Sequence, residues 1–253
     1  MSSRKQDKID LSNVSLHKAA DVCVSKNPRL TVVMIHGVAS NAGTFKDALE
    51  YLTQKSSLFD VRFVTYDLLG SGKSLTDDRL DYGYSDQIRA LHNAISELKC
   101  DTPLILVGHS MGSFIVTRYA SEYVNDVSEL ILISSPVYTV ENLRDPIFAE
   151  QMAAFKKIVA AKDERYISDI AFDKEVEKII LNEENYGRLL GIKIPVTFIY
   201  SPEDMIIAPF NIHKMAKSRD NMREIQTMGT HKVARDKYVP LGQLLEDNLH
   251  ETI

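Results

Sequence analysis

One stretch constrains this chain more than any other. Leu104, Ile105, Leu106 and Val107 form an apolar, strand-like run that leads straight into Gly108-His109-Ser110-Met111-Gly112. An apolar helical pattern through Phe114, Ile115 and Val116 follows at once. A strand, a one-residue bend and a helix have to share these residues. Ser110 then stands at the apex, with its hydroxyl projecting from the end of the strand. Side chains at 108 and 112 would clash in so tight a bend, which is what glycine there avoids. Gly-x-Ser-x-Gly alone is a weak signal. The strand before it and the helix after it give it meaning.

The rest of the chain repeats the same alternation. Leu30–Ile35 is a continuous apolar run rich in β-branched residues, and Asp60–Tyr66, Leu130–Ile133 and Pro195–Tyr200 are further expected strands. Such runs are expected of strands buried on both faces. Between them lie helical stripes: Phe45, Ala48, Leu49 and Leu52, then Ile88, Leu91, Ile95 and Leu98. Near the start, Ile9–Leu16 and Ala19–Val24 alternate loosely and are expected as two antiparallel strands. A helix is expected near 209–217, a short strand over Glu224–Met228, and a last helix from Pro240. From about Tyr138 to Lys193 there is no strand signal. Phe148, Met152, Phe155 and Val159 share one helical stripe there, and Val176, Ile179 and Ile180 suggest another. The expected organisation is an α/β core over 1–137 and 194–253, interrupted by a helical lid over 138–193.

Strand–helix alternation with doubly buried strands predicts a parallel sheet covered by helices on both faces. Ligands then bind beyond the carboxyl ends of the strands, after Ile35, Tyr66, Val107, Ile133 and Tyr200. Several motifs at those ends fail. Gly72-Lys73-Ser74 ends like a phosphate-binding loop, but the glycine required five residues earlier is Asp67. Gly70-x-Gly72 lacks the third glycine of a dinucleotide fingerprint, where Leu75 stands. No Cys or His pair has zinc-ligand spacing, and His17 and His213 each stand alone. Cys23 and Cys100 carry no functional signal, and the Lys156-Lys157 pair reads as a solvated face.

The serine route survives. A hydroxyl needs a base to take its proton, and a histidine oriented by a carboxylate is that base. On such a sheet the chain order is serine, acid, histidine. His213 falls within a helical pattern and His250 near the chain end, whereas His231 follows Gly229 just beyond the last short strand. Glu203 and Asp204 both follow the strand ending at Tyr200. Asp204 is preferred as the acid, with Glu203 as its alternative. Backbone N–H groups must stabilise the oxyanion. The N–H of Met111, which opens the helix, is one candidate. The N–H of Val38, after His36-Gly37, is the other, with Gly37 letting the backbone turn inward. His36 and His109 are expected to support the loop and the elbow, together with Gly37, Gly108 and Gly112. Asp67, Gly70 and Gly72 are expected to hold the fold beside the site.

Taken together, His36-Gly37, Asp67-x-x-Gly70-x-Gly72-x-Ser74, Gly108-His109-Ser110-Met111-Gly112, Asp204 and Gly229-x-His231 resemble the α/β-hydrolase superfamily. The resemblance covers nearly the whole chain, from about residue 9 to 250. It implies a three-layer fold with an eight-stranded, mostly parallel sheet, one antiparallel strand near the start, and a helical lid inserted after the sixth strand. Val38 and Ala39 stand where one group of lipases carries further glycines, so the likeness is to the compact, lidded esterases and carbon–carbon bond hydrolases. The implied activity is hydrolysis of carboxylic esters with small to medium hydrophobic acyl groups, through an acyl-enzyme. Carbon–carbon bond hydrolysis, an amidase or aminopeptidase activity, and a ligand-sensing role without turnover are the alternatives. No metal or organic cofactor is required by this chemistry.

Composition narrows the partners. The net charge is −5 with a pI near 5.8. No basic face is implied, which argues against nucleic acid or an anionic membrane surface. Two cysteines are too few for a disulfide framework, and the polar start shows no signal peptide, so a cytoplasmic setting is expected. No apolar run approaches the length needed to span a bilayer. The expected partner is a small-molecule ester, met by a monomer or homodimer.

Overall fold

The computed structural model describes residues 9–99, 101–160, 166–181, 185–204, 206–235 and 240–252. Its centre is a seven-stranded sheet in the order β1-β3-β2-β4-β5-β6-β7. The strands are β1 His17–Val22, β2 Leu30–Ile35, β3 Val61–Asp67, β4 Leu104–His109, β5 Glu129–Ile133, β6 Val196–Tyr200 and β7 Met222–Gln226. β1 runs antiparallel to β3, and every other pairing is parallel.

The doubly apolar strands divide their side chains between two cores, as the pleat demands. Val33 and Ile35 of β2 and Leu106 of β4 enter the larger core. It lies against α2 Tyr84–Glu97 and α3 Met111–Glu122. Val32 and Met34 of β2, with Ile105 and Val107 of β4, enter the other. That face is covered by α1 Lys46–Leu52 and α9 Leu241–Thr252. Each fully buried aliphatic side chain contributes about 1.5–3 kcal/mol relative to exposure.

Two expectations near the start are corrected. The sheet has seven strands among the described residues, not eight. The two strands expected over 9–16 and 19–24 are replaced by one, His17–Val22. Asp10 turns the chain back on itself by accepting from the N–H of Ser12 at 2.9 Å. The carbonyls of Leu11, Ser12 and Val14 then accept from the Asn93 side chain, at 3.1, 3.3 and 2.7 Å. A distant amide thus takes the place of a neighbouring strand. The last strand is also earlier than expected, since Thr227 and Met228 fall beyond Gln226.

Between β5 and β6 the regular elements among the described residues are helices, α4 Val140–Arg144, α5 Pro146–Ala160, α6 Asp169–Glu175, a π-helical turn Val176–Ile180, and α7 Tyr186–Gly191, with one isolated antiparallel bridge from Ile167 to Ser71. Met152 is buried and Phe148 packs on the larger core. The side chains of Phe155, Lys156 and Val159 lie outside the described residues, as does Cys100. The glycine-rich loop after β3 anchors this helical segment. Gly72 N–H donates to Tyr166 O at 2.8 Å, and Ser168 N–H donates to Gly70 O at 3.2 Å. Gly70 has φ +80°, and a Cβ there would lie 2.4 Å from that of Ala171. Gly72 is as confined, because its missing Cβ would lie 2.2 Å from the Asp67 carboxylate. Asp67 is buried and accepts from Ala42 N–H at 2.9 Å and Lys73 N–H at 3.0 Å. Its role is to fold this corner. The last two helices are α8 Pro209–Ser218 and α9, and Pro240 directly precedes α9.

Candidate active site

The strand order reverses direction beside β2: the chain moves to β3 on one side, then to β4 on the other. A crevice opens at the carboxyl end of such a reversal. Ile35 and Gly108 are in register across β2 and β4, so the His36–Ala39 loop and the Ser110 elbow flank that crevice.

Ser110 has φ 52° and ψ −120°, a strained conformation that turns strand into helix within one residue. It is held by a hydrogen bond from its N–H to Ile133 O at 2.9 Å, and its carbonyl accepts from Ser113 N–H at 2.9 Å. Glycine is enforced around it by close approach. A Cβ on Gly112 would lie 2.3 Å from Ile35 O, and one on Gly108 would lie 2.7 Å from the Gly112 backbone. Gly37 is present for the same reason and not to turn the backbone. Its Cβ would meet that of Ser110 at 3.0 Å. The left-handed residue of that loop is Ala39, with φ 54°.

Three of the expected residues form one hydrogen-bonded line. Ser110 Oγ lies 2.8 Å from His231 Nε2, and His231 Nδ1 lies 2.9 Å from Asp204 Oδ2. A carboxylate only accepts, so Nδ1 carries the proton and Nε2 is left to accept from the serine hydroxyl. Asp204 is 2% exposed and Ser110 6% exposed, while His231 between them is partly open to solvent. Glu203 is exposed, its N–H bonds the Ser201 hydroxyl at 3.2 Å, and it is Asp204 that meets His231.

Each partner is fixed from behind. Asp204 Oδ1 accepts from Ile206 N–H at 3.0 Å. Ala208, with φ 52°, turns the acid loop into α8, where Pro209 takes the first helical position. The His231 loop turns at Gly229, φ 117°. The His231 carbonyl lies 3.2 Å from His109 Nε2, so His109 steadies the backbone of His231. His36 accepts from Leu68 N–H on Nε2 at 3.0 Å, which leaves Nδ1 to donate to Gly37 O at 2.8 Å. It ties the β2 loop to the β3 loop. Met111 is buried as the first residue of α3, and Val38 is half-buried against the larger core.

His17 and His213 do not stand alone. His17 Nδ1 lies 3.1 Å from Asp67 Oδ2, and His213 Nδ1 lies 2.6 Å from Glu224 Oε1. Among the described residues no group of three or more His, Cys, Asp or Glu is placed to hold a metal ion. No described helix is long and apolar enough to cross a membrane.

Sequence reasoning passed over Glu175. It is fully buried, and burial pushes its carboxyl well above the ordinary range. Its Oε1 accepts from Gln87 Nε2 at 2.9 Å, while Gln87 also bonds both backbone groups of Leu69. The spacing of Phe172, Glu175, Val176 and Ile179 puts Glu175 on the apolar stripe, a signal that was present in the sequence.

The sheet order, the strand-to-helix elbow and the acid and histidine loops together define the α/β-hydrolase fold. Within it, residues 26–190 match the family model described as "Serine aminopeptidase, S33", and the chain belongs to that family. The chain is 30% identical over 127 residues to the (lyso)-N-acylphosphatidylethanolamine lipase of Mus musculus. That match covers 49% of this chain and 36% of that protein, so the chain spans about a third of its length. A longer match, 22% identical over 247 residues, is to Lipase 1 of Psychrobacter immobilis, covering 85% of this chain and 75% of that one. Among solved structures, an esterase from Thermogutta terrifontis superposes with a TM-score of 0.72 at 16% identity, covering 94% of this chain and 98% of that one. At that identity the superposition speaks for the fold alone.

Proposed function

We propose that this chain hydrolyses carboxylic esters through a covalent acyl-enzyme. The observation that carries the reading is the unbroken line Asp204–His231–Ser110, set at the amino end of α3. Ser110 Oγ attacks the ester carbonyl carbon as His231 Nε2 takes its proton. The carbonyl oxygen becomes an oxyanion, held by the backbone N–H groups of Met111 and Val38. The partial positive charge of a helix amino end favours that anion. His231 returns its proton to the departing alkoxide, which leaves as the alcohol. Water, deprotonated by His231, then attacks the acyl carbon. Ser110 leaves with the proton, and the acid is released. Asp204 keeps the imidazole in the required tautomer. This chain of steps uses no metal or organic cofactor.

The helical segment over 138–193 acts as a lid, and the α/β core over 1–137 and 194–253 carries the chemistry. Phe148 and Met152 give the lid's inner side an apolar character, which supports small to medium hydrophobic acyl groups. Relatives named as lipases support an ester substrate. The enzyme works on a small molecule as a monomer or homodimer in the cytoplasm, a setting supported by its low cysteine count.

Turnover of p-nitrophenyl acetate and butyrate by the wild type, absent in Ser110→Ala, together with fluorophosphonate labelling of Ser110, is the expected result. Inactivity on every ester tried, with no labelling, would sink the proposal. The family's description names an aminopeptidase, so aminoacyl arylamides belong in the same panel. Faster turnover of those than of the esters would move the assignment to amide bonds.

A further inference from the structure

Just beyond β5, Ser134 has φ 45°, a left-handed bend that sends Pro136, Val137 and Tyr138 across the acid loop. The backbone of this short stretch is pinned on both sides. Toward the acid loop and α8, Val137 N–H donates to Ile207 O at 3.1 Å, and Asn211 Nδ2 donates to Val137 O at 2.8 Å. Toward α7, Tyr138 N–H donates to Asn185 Oδ1 at 2.9 Å, and Tyr186 N–H donates to Tyr138 O at 3.1 Å.

The Tyr138 side chain is therefore delivered to one place. It is 1% exposed, and its O–H donates to Ile206 O. Ile206 is the residue whose N–H holds Asp204 Oδ1. The phenol and the carboxylate thus grip the same residue from opposite ends. Burial, and after it the Asp204 charge, push the Tyr138 phenol far above its ordinary range, so the hydroxyl stays a donor. The ring meets two further elements. Phe148 of α5 packs edge-on at 4.6 Å and 69°. Phe114 of α3, one turn beyond Ser110, lies tilted at 6.3 Å. One side chain touches the acid loop, the elbow helix and the helical segment between β5 and β6.

We infer that Tyr138 is a positioning residue that ties the seating of the helical segment to the placement of Asp204 against His231. The inference rests on the triad reading above. The phenol fixes Ile206, Ile206 fixes one carboxylate oxygen of Asp204, and the other oxygen orients His231. Phe148 fixes the ring. A shift of the helical segment that releases Phe148 therefore loosens the acid. Tyr138 touches no reacting atom, and its effect falls on catalytic geometry and not on substrate affinity.

The test is Tyr138→Phe, which removes one hydroxyl and keeps the ring and the pinned backbone. The proton on His231 Nδ1 is followed by NMR in the protein without substrate and assigned by its loss in His231→Gln. The expected result is an upfield shift or exchange broadening of that proton in Tyr138→Phe. Alongside it, kcat on p-nitrophenyl butyrate falls about ten- to a hundredfold and KM stays within about twofold, as for a small misplacement of a reacting group, while the melting temperature falls by no more than the few degrees expected of one carbonyl left unpaired. Phe148→Leu is expected to move the same proton in the same direction. An unchanged proton and an unchanged kcat in Tyr138→Phe would overturn the inference. An effect in Tyr138→Phe with none in Phe148→Leu would overturn the link to the helical segment. If the wild type shows the proton but turns over no ester, the ester reading fails, and the positioning role is judged on the proton alone.

Discussion

Glu175 Oε1 lies 2.9 Å from Gln87 Nε2, and neither side chain reaches water. The pair joins α6 to α2 and, through Leu69, to the loop after β3. The folded-state pKa of Glu175 is raised by burial, so the folded protein binds a proton that the unfolded chain releases. Stability from this group is therefore full below the unfolded pKa of about 4.3 and declines as pH rises toward the folded value. Each pH unit in that window costs up to about 1.4 kcal/mol. Glu175→Gln keeps an oxygen for Gln87 and cannot ionise. Equal melting temperatures of wild type and variant at pH 4, and a variant more stable by a few degrees at pH 8, are expected in thermal scans. Parallel curves across the range would refute the linkage.

Gly112→Ala places a methyl group 2.3 Å from Ile35 O and 2.6 Å from His36 O. Backbone cannot rotate away as a side chain can. The start of α3 has to move, at a cost of about 1–3 kcal/mol for overpacking. A fall of several degrees in melting temperature and loss of fluorophosphonate labelling are expected together. Retained labelling at the wild-type rate would show that the elbow tolerates the shift.

Asp204→Asn preserves shape and reverses hydrogen-bond sense. The amide favours the imidazole tautomer that carries its proton on Nε2, which cannot accept from Ser110. By analogy with other serine hydrolases, kcat on p-nitrophenyl butyrate should drop about 10⁴-fold. Glu203→Gln, at an exposed position, should stay within about twofold. The reverse ranking in the same assay would transfer the role to Glu203.

Asn93→Ala strips the partner from the carbonyls of Leu11, Ser12 and Val14. The Leu11 and Val14 bonds are part-buried, and leaving such acceptors unpaired costs about 1–3 kcal/mol, while the exposed Ser12 carbonyl can turn to water. Faster amide hydrogen exchange and faster proteolysis before β1 are expected, with exchange in β4 unchanged. Uniformly faster exchange would mean that the stretch is integral to global stability.

Much of this architecture was legible because its signals are local. Val32 and Val33 sit in an unbroken apolar run, and the pleat sends them to opposite cores. Ser110 was legible because strand, glycine and helix must meet within five residues. His231 was reached by chain order and by the unsuitable settings of His213 and His250. What stayed hidden depends on distant partners. Residues 9–16 alternate like a strand, yet the carbonyls of Leu11, Ser12 and Val14 accept from Asn93, some eighty residues away. Tyr138 follows a strand end with no pattern to mark it, and its meaning comes from Ile206 and Phe148. His17 and His213 acquire their carboxylates only when β3 and β7 are laid beside them.

The glycines around the elbow imply an uneven tolerance to mutation. Position 112 refuses any side chain because main-chain oxygens occupy the space, whereas at position 37 a methyl group would meet the Ser110 Cβ at 3.0 Å and needs only a small shift. Position 110 already carries a side chain, in a strained backbone that its neighbours impose. In a saturating library the nucleophile should thus be the more replaceable residue for folding, and Gly112 the less replaceable. Chemistry at this apex is open to exchange, while the frame that presents it is not.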